Sequence, residues 1–236
     1  MSTFVIVPGA WDTPAVMDPL VALLEAAGHG AIVIDLPCDD RDATLEDYAA
    51  AARSALPDDP ADVVLVGYSF GGFTASTIAA EHPDMPVVFI AAWIPQPGVS
   101  VIEQFAGGDP FAAGDEEAGL AAFGGLMLSA GPGLCALNID RYVSALDPSE
   151  QDTARAYLQR TQRPQGIAAL RQQWQAALRT TRCTYIHTTA DTLVPPEAQR
   201  AMAASVGAEI VEIGTDHGPF REQPERLAEL VLAASR

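Results

Sequence analysis

The sequence predicts an α/β chain, with a mostly parallel sheet of about six strands flanked by helices on both faces. Three observations predict it. Short, continuously apolar runs recur along the chain, as strands covered on both faces require. Helical patterns separate them and are long enough for the crossovers that parallel strands need. Glycine- and proline-rich turns punctuate the alternation.

The elements justify this reading in order. Phe4–Val7 reads as a buried strand, closed by the turn Pro8-Gly9-Ala10-Trp11-Asp12-Thr13-Pro14. A helical pattern from Val16 to Ala27 places Val16, Leu20, Leu23 and Leu24 on one side, and Gly28 ends it. Ala31–Leu36 is the second strand. Thr44 opens a helix to Leu56, with Asp47 three positions on as the partner of a capping box. Val63–Val66 and Pro86–Ala92 are the next strands.

From Trp93 to Arg182 the alternation stops. Repeated glycines break this stretch, helices are expected at Glu116–Leu128, Pro148–Gln162 and Gly166–Leu178, and no strand is evident. Asp147 is the expected N-cap of the second of these helices, followed by Pro148. Residues 93–182 therefore read as a helical cap inserted into a single domain covering 1–236. The alternation resumes with the strand Cys183–His187, the helix Pro196–Val206 ended by Gly207, the strand Glu209–Ile213 and a last helix from Glu222 to Ala234.

Composition narrows the function. The formal charge of −18 over 236 residues opposes binding to nucleic acid or to an anionic membrane surface. All 13 basic residues are arginine, so Schiff-base and lysine-nucleophile chemistry is excluded. Three widely spaced cysteines form neither a metal-ligand pattern nor a disulfide framework. No secretory leader and no uncharged run of membrane-spanning length is visible, so a cytoplasmic location is expected.

One stretch carries chemistry. Gly67-Tyr68-Ser69-Phe70-Gly71-Gly72 follows an apolar strand and precedes a helical pattern to Glu81. Strand, G-x-S-x-G turn and helix are the context of a nucleophile elbow, in which a serine sits on a strained turn and small neighbours prevent collision. A serine hydroxyl needs a base, and the base needs an orienting group. Asp191 follows the Cys183–His187 strand and His217 follows the Glu209–Ile213 strand, at the ends where α/β sheets gather functional groups. Asp216 is an alternative acid, but a side chain adjacent to the histidine points away from it. His187 is a weaker candidate for lining the pocket. His29 and His82 fall at the opposite end of the sheet. The backbone N–H groups of Ala10 and Phe70 are the expected oxyanion donors. Gly9, Trp11, Tyr68 and Trp93 are expected around the pocket.

With these residues in place, the chain resembles the α/β-hydrolase superfamily, and within it the small-esterase branch of methyl esterases, hydroxynitrile lyases and bacterial relatives. Val5-Ile6-Val7-Pro8-Gly9-Ala10-Trp11, Leu24-Glu25-Ala26-Ala27-Gly28-His29, the elbow, Asp191-Thr192-Leu193-Val194-Pro195-Pro196, Asp216-His217-Gly218-Pro219-Phe220 and Gln223-Pro224-Glu225-Arg226-Leu227 carry the resemblance. It implies a serine hydrolase without cofactor or metal, acting on a small molecule through Ser69, His217 and Asp191. Asp12-Thr13 and Cys38 depart from the family pattern, which bears on the substrate. Hydrolysis of a small hydrophobic ester, thioester or lactone is the first expectation. Carbon–carbon cleavage or tailoring of a specialised metabolite on the same residues is the alternative, and a non-catalytic receptor is a third. The lysine-dependent hydroxynitrile lyase route is closed to a chain without lysine. Epoxide hydrolases and dehalogenases normally carry Asp at the elbow. The apolar faces of the cap also leave room for a homodimer.

Overall fold

The computed structural model describes residues 1–176, 178 and 182–235. Its main sheet has six strands, all parallel: β1 (Thr3–Val7), β2 (Gly30–Val33), β3 (Val63–Tyr68), β4 (Val87–Ile90), β8 (Cys183–Thr188) and β9 (Glu209–Ile213). Their order is β2-β1-β3-β4-β8-β9, so β3 and its serine sit near the middle. β2 is shorter than its apolar run: pairing stops at Val33, although Ile34 N–H still donates to Ile6 O at 2.9 Å.

The pleat divides the core. Phe4, Ile6, Val64, Val66, Val88 and Ile90 face α1 (Asp18–Ala26) and α11 (Pro224–Ala234). Val5, Val7, Leu65 and Phe89 face the other side, against α2 (Leu45–Ala55), α3 (Gly71–Glu81) and α9 (Pro196–Ser205). This period-two split explains the continuous runs: both faces of each central strand are buried. The capping box of α2 forms as expected, with Thr44 and Asp47 exchanging hydrogen bonds.

The insertion departs most from expectation. It holds α4 (Val101–Ala106), α5 (Glu116–Ala121), α6 (Ile139–Val143), α7 (Gln151–Thr161) and α8 (Ile167–Arg171). It also holds a second, antiparallel sheet of β5 (Met127–Gly131), β6 (Leu134–Leu137) and β7 (Gln165–Gly166). The insertion is thus mixed, not purely helical. The helix expected to reach Leu128 stops at Ala121, since Gly124 and Gly125 adopt φ 59° and 80°. Gly131 and Gly133, at φ 120° and 74°, then turn the β5–β6 hairpin. α7 starts later than expected: Asp147 Oδ1 accepts from the N–H and O–H of Ser149 in a local turn instead of capping the helix. α8 ends at Arg171, and part of the longer expected helix lies outside the described residues. Among the described residues no helix is long and apolar enough to cross a membrane.

The glycines around the elbow are required by contact. A Cβ on Gly71 would lie 2.3 Å from Pro8 O and 2.4 Å from Val7 O. On Gly72 it would lie 2.3 Å from Trp93 O, and on Gly67 2.7 Å from Ala75 Cβ. Gly71→Ala should therefore push α3 away from β1 and cost about 1–3 kcal/mol as an overpacked core substitution does. Gly108→Ala, with open space around its Cβ, should leave the unfolding midpoint within about 0.5 kcal/mol of the parent. Urea titration of the pair checks the contrast.

Candidate active site

β3 ends at Tyr68, and Ser69 follows with φ 51°, in the left-handed region that a residue with a Cβ occupies only under constraint. Ser69 N–H donates to Ile90 O, and Ser69 O accepts from the N–H groups of both Gly72 and Trp93. The side chain is thereby projected beyond the carboxyl end of β3. His217, in the loop after β9, places Nε2 2.9 Å from Ser69 Oγ. Its Nδ1 lies 2.7 Å from Oδ2 of Asp191, in the loop after β8. With Nδ1–H donated to the carboxylate, Nε2 is free to accept the Ser69 proton. The three residues selected from the sequence thus form one hydrogen-bonded chain.

Asp191 is only 5% exposed, so its charge must be met by donors. Oδ1 accepts the N–H groups of Leu193 (2.8 Å) and Val194 (2.9 Å). Oδ2 accepts from Thr188 Oγ1 (2.8 Å) and Gln199 Nε2 (2.9 Å) besides His217. Gln199, fully buried on α9, also donates to Val194 O and accepts from Thr188 N–H. The sequence reading missed Gln199. Its signal was a glutamine three and four positions before Met202 and Ala203, on the core face of an amphipathic helix.

Asp216 turns away from the imidazole, as its adjacency to His217 dictates. Its carboxylate accepts from Tyr142 O–H (3.0 Å), Arg221 Nη2 (2.7 Å) and Gly218 N–H (2.6 Å). Burial acts to raise its pKa, but the hydrogen bond with Glu222 and the Arg221 charge hold it below the ordinary value. Glu222 moves the other way, pushed up to about 8 by burial and then by Asp216. His187 is not part of the site. Its Nε2 lies 3.1 Å from Pro196 O and its Nδ1 3.7 Å from Glu212.

The turn after β1 supplies the opposite wall. The N–H groups of Ala10 and Phe70 have no protein acceptor among the described residues, and both residues line the cavity at Ser69. Gly9 is needed here, because a Cβ would stand 2.9 Å from Ser69 Cβ. Trp11 and Trp93 line the same cavity, while Tyr68 lines a second one. Tyr68 O–H donates to His217 O at 3.0 Å and its ring packs against the imidazole. Asp12 is a further buried carboxyl. Oδ2 accepts Gly9 N–H (2.9 Å), and Oδ1 accepts from Gln162 Nε2 (2.5 Å). Burial pushes Asp12 up to about 7, against the lowering effect of these two bonds.

Burial alone would depress the His217 imidazolium. The charge and hydrogen bond of Asp191, with the charges of Asp216 and Asp12, outweigh it and hold the pKa above the ordinary imidazole value. The cysteines do not compete as nucleophiles. Burial pushes Cys38 up to about 11, and Cys135 and Cys183 to about 12. No group of residues able to hold a metal ion occurs among the described residues.

Comparison with known proteins adds to this geometry. A model of the alpha/beta hydrolase family matches residues 4–230. Norfluorocurarine synthase 1 of Strychnos nux-vomica is 38% identical over 104 residues, which cover 39% of this chain and 39% of that protein. Methylesterase 7 of Arabidopsis thaliana is 35% identical over 104 residues, covering 39% of this chain and 40% of that protein. The matched stretch is thus well under half of either relative. A solved pyrethroid hydrolase from Sphingobium faniae JZ-2 superposes with a TM-score of 0.74 at 20% identity, covering 99% of this chain and 97% of that one, and so shares the fold.

Replacing Gln199 tests the support of Asp191. Gln199→Ala leaves Val194 O and Thr188 N–H unpaired and removes one donor from Oδ2. Loss of roughly 2–4 kcal/mol of stability is expected for several stranded buried groups, read as a lower urea midpoint at an unchanged m-value.

Proposed function

The chain belongs to the alpha/beta hydrolase family, and from that premise we propose that it is a serine carboxylic ester hydrolase acting on a small, largely hydrophobic ester, thioester or lactone. One observation carries the reading: the unbroken chain from Ser69 Oγ to His217 Nε2 and from His217 Nδ1 to Asp191 Oδ2, at the floor of an apolar cavity. The methylesterase and pyrethroid hydrolase likenesses support it.

In this reading Ser69 Oγ attacks the ester carbonyl carbon while its proton passes to His217 Nε2. The carbonyl oxygen gains the negative charge, and the N–H groups of Ala10 and Phe70 receive it. Both amides are unpaired beforehand, so no protein hydrogen bond is broken at that moment. The carbon–oxygen bond to the leaving group then breaks, and His217 returns its proton to the departing alkoxide. Water, deprotonated by the same imidazole, releases the acid and restores Ser69. Asp191 accepts from His217 Nδ1–H and keeps the imidazole in the productive tautomer. A metabolite-tailoring reaction on the same residues is the second reading, favoured by the likeness to a protein named a synthase.

A fluorophosphonate should label the wild-type protein at Ser69 and leave Ser69→Ala unmodified. That variant should lose roughly 10⁴- to 10⁶-fold in kcat/KM on aryl esters. A folded wild-type protein whose Ser69 stays unlabelled would overturn the reading.

The pH profile follows from His217. Only the neutral imidazole accepts the Ser69 proton, and its pKa lies above 6.5. kcat/KM should therefore rise with pH along a limb centred above 6.5. Asp12→Asn removes a carboxyl whose charged form raises this pKa and should move the limb to lower pH. A limb that stays in place would remove Asp12 from the electrostatics of the site.

A further inference from the structure

Two cavities meet at Ser69, both partly open to solvent. They share Ala10, Trp11, Ser69, Leu193 and His217 but differ in chemistry. The first is walled by Phe70, Trp93, Ile102, Phe105, Met127 and Leu170. The second is walled by Asp12, Tyr68, Tyr142, Tyr157, Gln162 and Arg221.

The second cavity brings together buried polar groups that are not fully paired. Its tyrosine donors are committed, while Trp11 Nε1 and the Ala10 amide have no acceptor among the described residues. Tyr68 O–H serves His217 O, Tyr142 O–H serves Asp216, and Tyr157 O–H serves Val16 O. The Arg221 guanidinium is held by Asp216 and Glu222. Its acceptors are not used up. The Asp12 carboxyl, 4% exposed, takes one donor on each oxygen and keeps further lone pairs. Gln162 Oε1 is buried and has no hydrogen-bond partner among the described residues. A buried acceptor without a donor is costly, and a substrate that brings an O–H group removes that cost.

We propose that Asp12 and Gln162 form a hydrogen-bond-accepting subsite beside Ser69, and that the ester cleaved here carries a hydroxyl group bound by this pair, with its apolar part in the first cavity. The inference rests on the ester hydrolase reading given above. A neutral hydroxyl fits better than an ammonium group, because the aromatic walls make burial of a full charge expensive. The pair is also well placed to report occupancy to the reaction centre. Asp12 holds Gly9 N–H, one residue before the Ala10 amide.

The test is a matched series of esters that differ only in one substituent: hydroxyl, methoxy or hydrogen. Each substituent is carried first on the acyl half and then on the alcohol half. Wild-type protein should prefer the hydroxyl ester over both others in one of the two series. The expected margin is roughly 10- to 100-fold in kcat/KM, as pairing an otherwise unsatisfied buried acceptor gives.

Gln162→Met should collapse the hydroxyl-to-hydrogen ratio toward one, and the ratio cancels any general loss of activity. Asp12→Asn gives a distinct signature. Its amide N–H₂ can donate to Gln162 Oε1, so the Gln162 amide reverses and puts N–H where Oε1 now lies. Preference should then move from hydroxyl toward methoxy. Fluorophosphonate labelling of each variant reports an intact Ser69 site. Equal wild-type rates for all three substituents in both series, with esters still hydrolysed and Ser69 still labelled, would overturn the subsite and leave the hydrolase reading standing. Absence of both hydrolysis and labelling would overturn the two together.

Discussion

The site depends first on the backbone of Ser69. At φ 51° this residue costs on the order of 1–3 kcal/mol relative to an unstrained one, and the surrounding structure must hold it there. Three hydrogen bonds do so, from Ser69 N–H to Ile90 O and to Ser69 O from Gly72 and Trp93. The strain is not isolated. The other described non-glycine residues with positive φ are Trp11 (64°) and Ala91 (45°). The three follow β1, β3 and β4, adjacent strands of the sheet. Conformational strain is thus gathered at the carboxyl edge, directly around the nucleophile candidate, and the regular strands beneath carry it.

The two acids of the C-terminal half show how local geometry assigns roles. Asp216 is the residue next to His217, yet its carboxylate is spent on Tyr142, Gly218 and Arg221. Asp191 is distant in sequence, yet its strand end brings it within 2.7 Å of the imidazole. Four further donors satisfy it, from Thr188, Leu193, Val194 and Gln199. They supply the buried carboxylate with donors without a neighbouring arginine among the described residues.

The main sheet and the Ser69, Asp191 and His217 positions were legible because each rests on a local signal. Phe4–Val7 and Val63–Val66 are apolar on both faces, and the G-x-S-x-G turn needs only its flanking strand and helix. The β5–β6 hairpin was not legible. Leu128 and Ser129 are exposed, β6 is only partly buried, and the glycines around them read as breaks. β7 is two residues long and exists only by pairing with β6. Gln199 and the Asp12–Gln162 pair were missed for a different reason. Their partners lie 8 and 150 positions away, and periodicity, which places Gln199 on the core face of its helix, does not report which polar group it meets there. His187 illustrates the converse: closeness to Asp191 in sequence says nothing about the face of β8 on which its ring lies.

The insertion is bound to the candidate site more tightly than a lid resting on a finished site. Its segment 161–165 runs along the turn after β1. Thr13 N–H donates to Thr161 O, Asp12 bridges to Gln162, and Arg163 N–H donates to Trp11 O at 2.6 Å. Arg163 Nε also donates to Asp12 O. Ala10 lies between Gly9, held by Asp12, and Trp11, held by Arg163. The backbone donor at Ala10 is therefore positioned by the insertion as much as by the sheet. On the other side, Tyr142 of α6 grips Asp216, the residue before His217. Displacement of the insertion from the sheet would move a candidate oxyanion donor and the imidazole loop together. The segment that shapes the cavity and the segment that sets the donor geometry are one piece of chain, so changes that re-shape the cavity must preserve the 161–165 contacts to keep Ala10 in place.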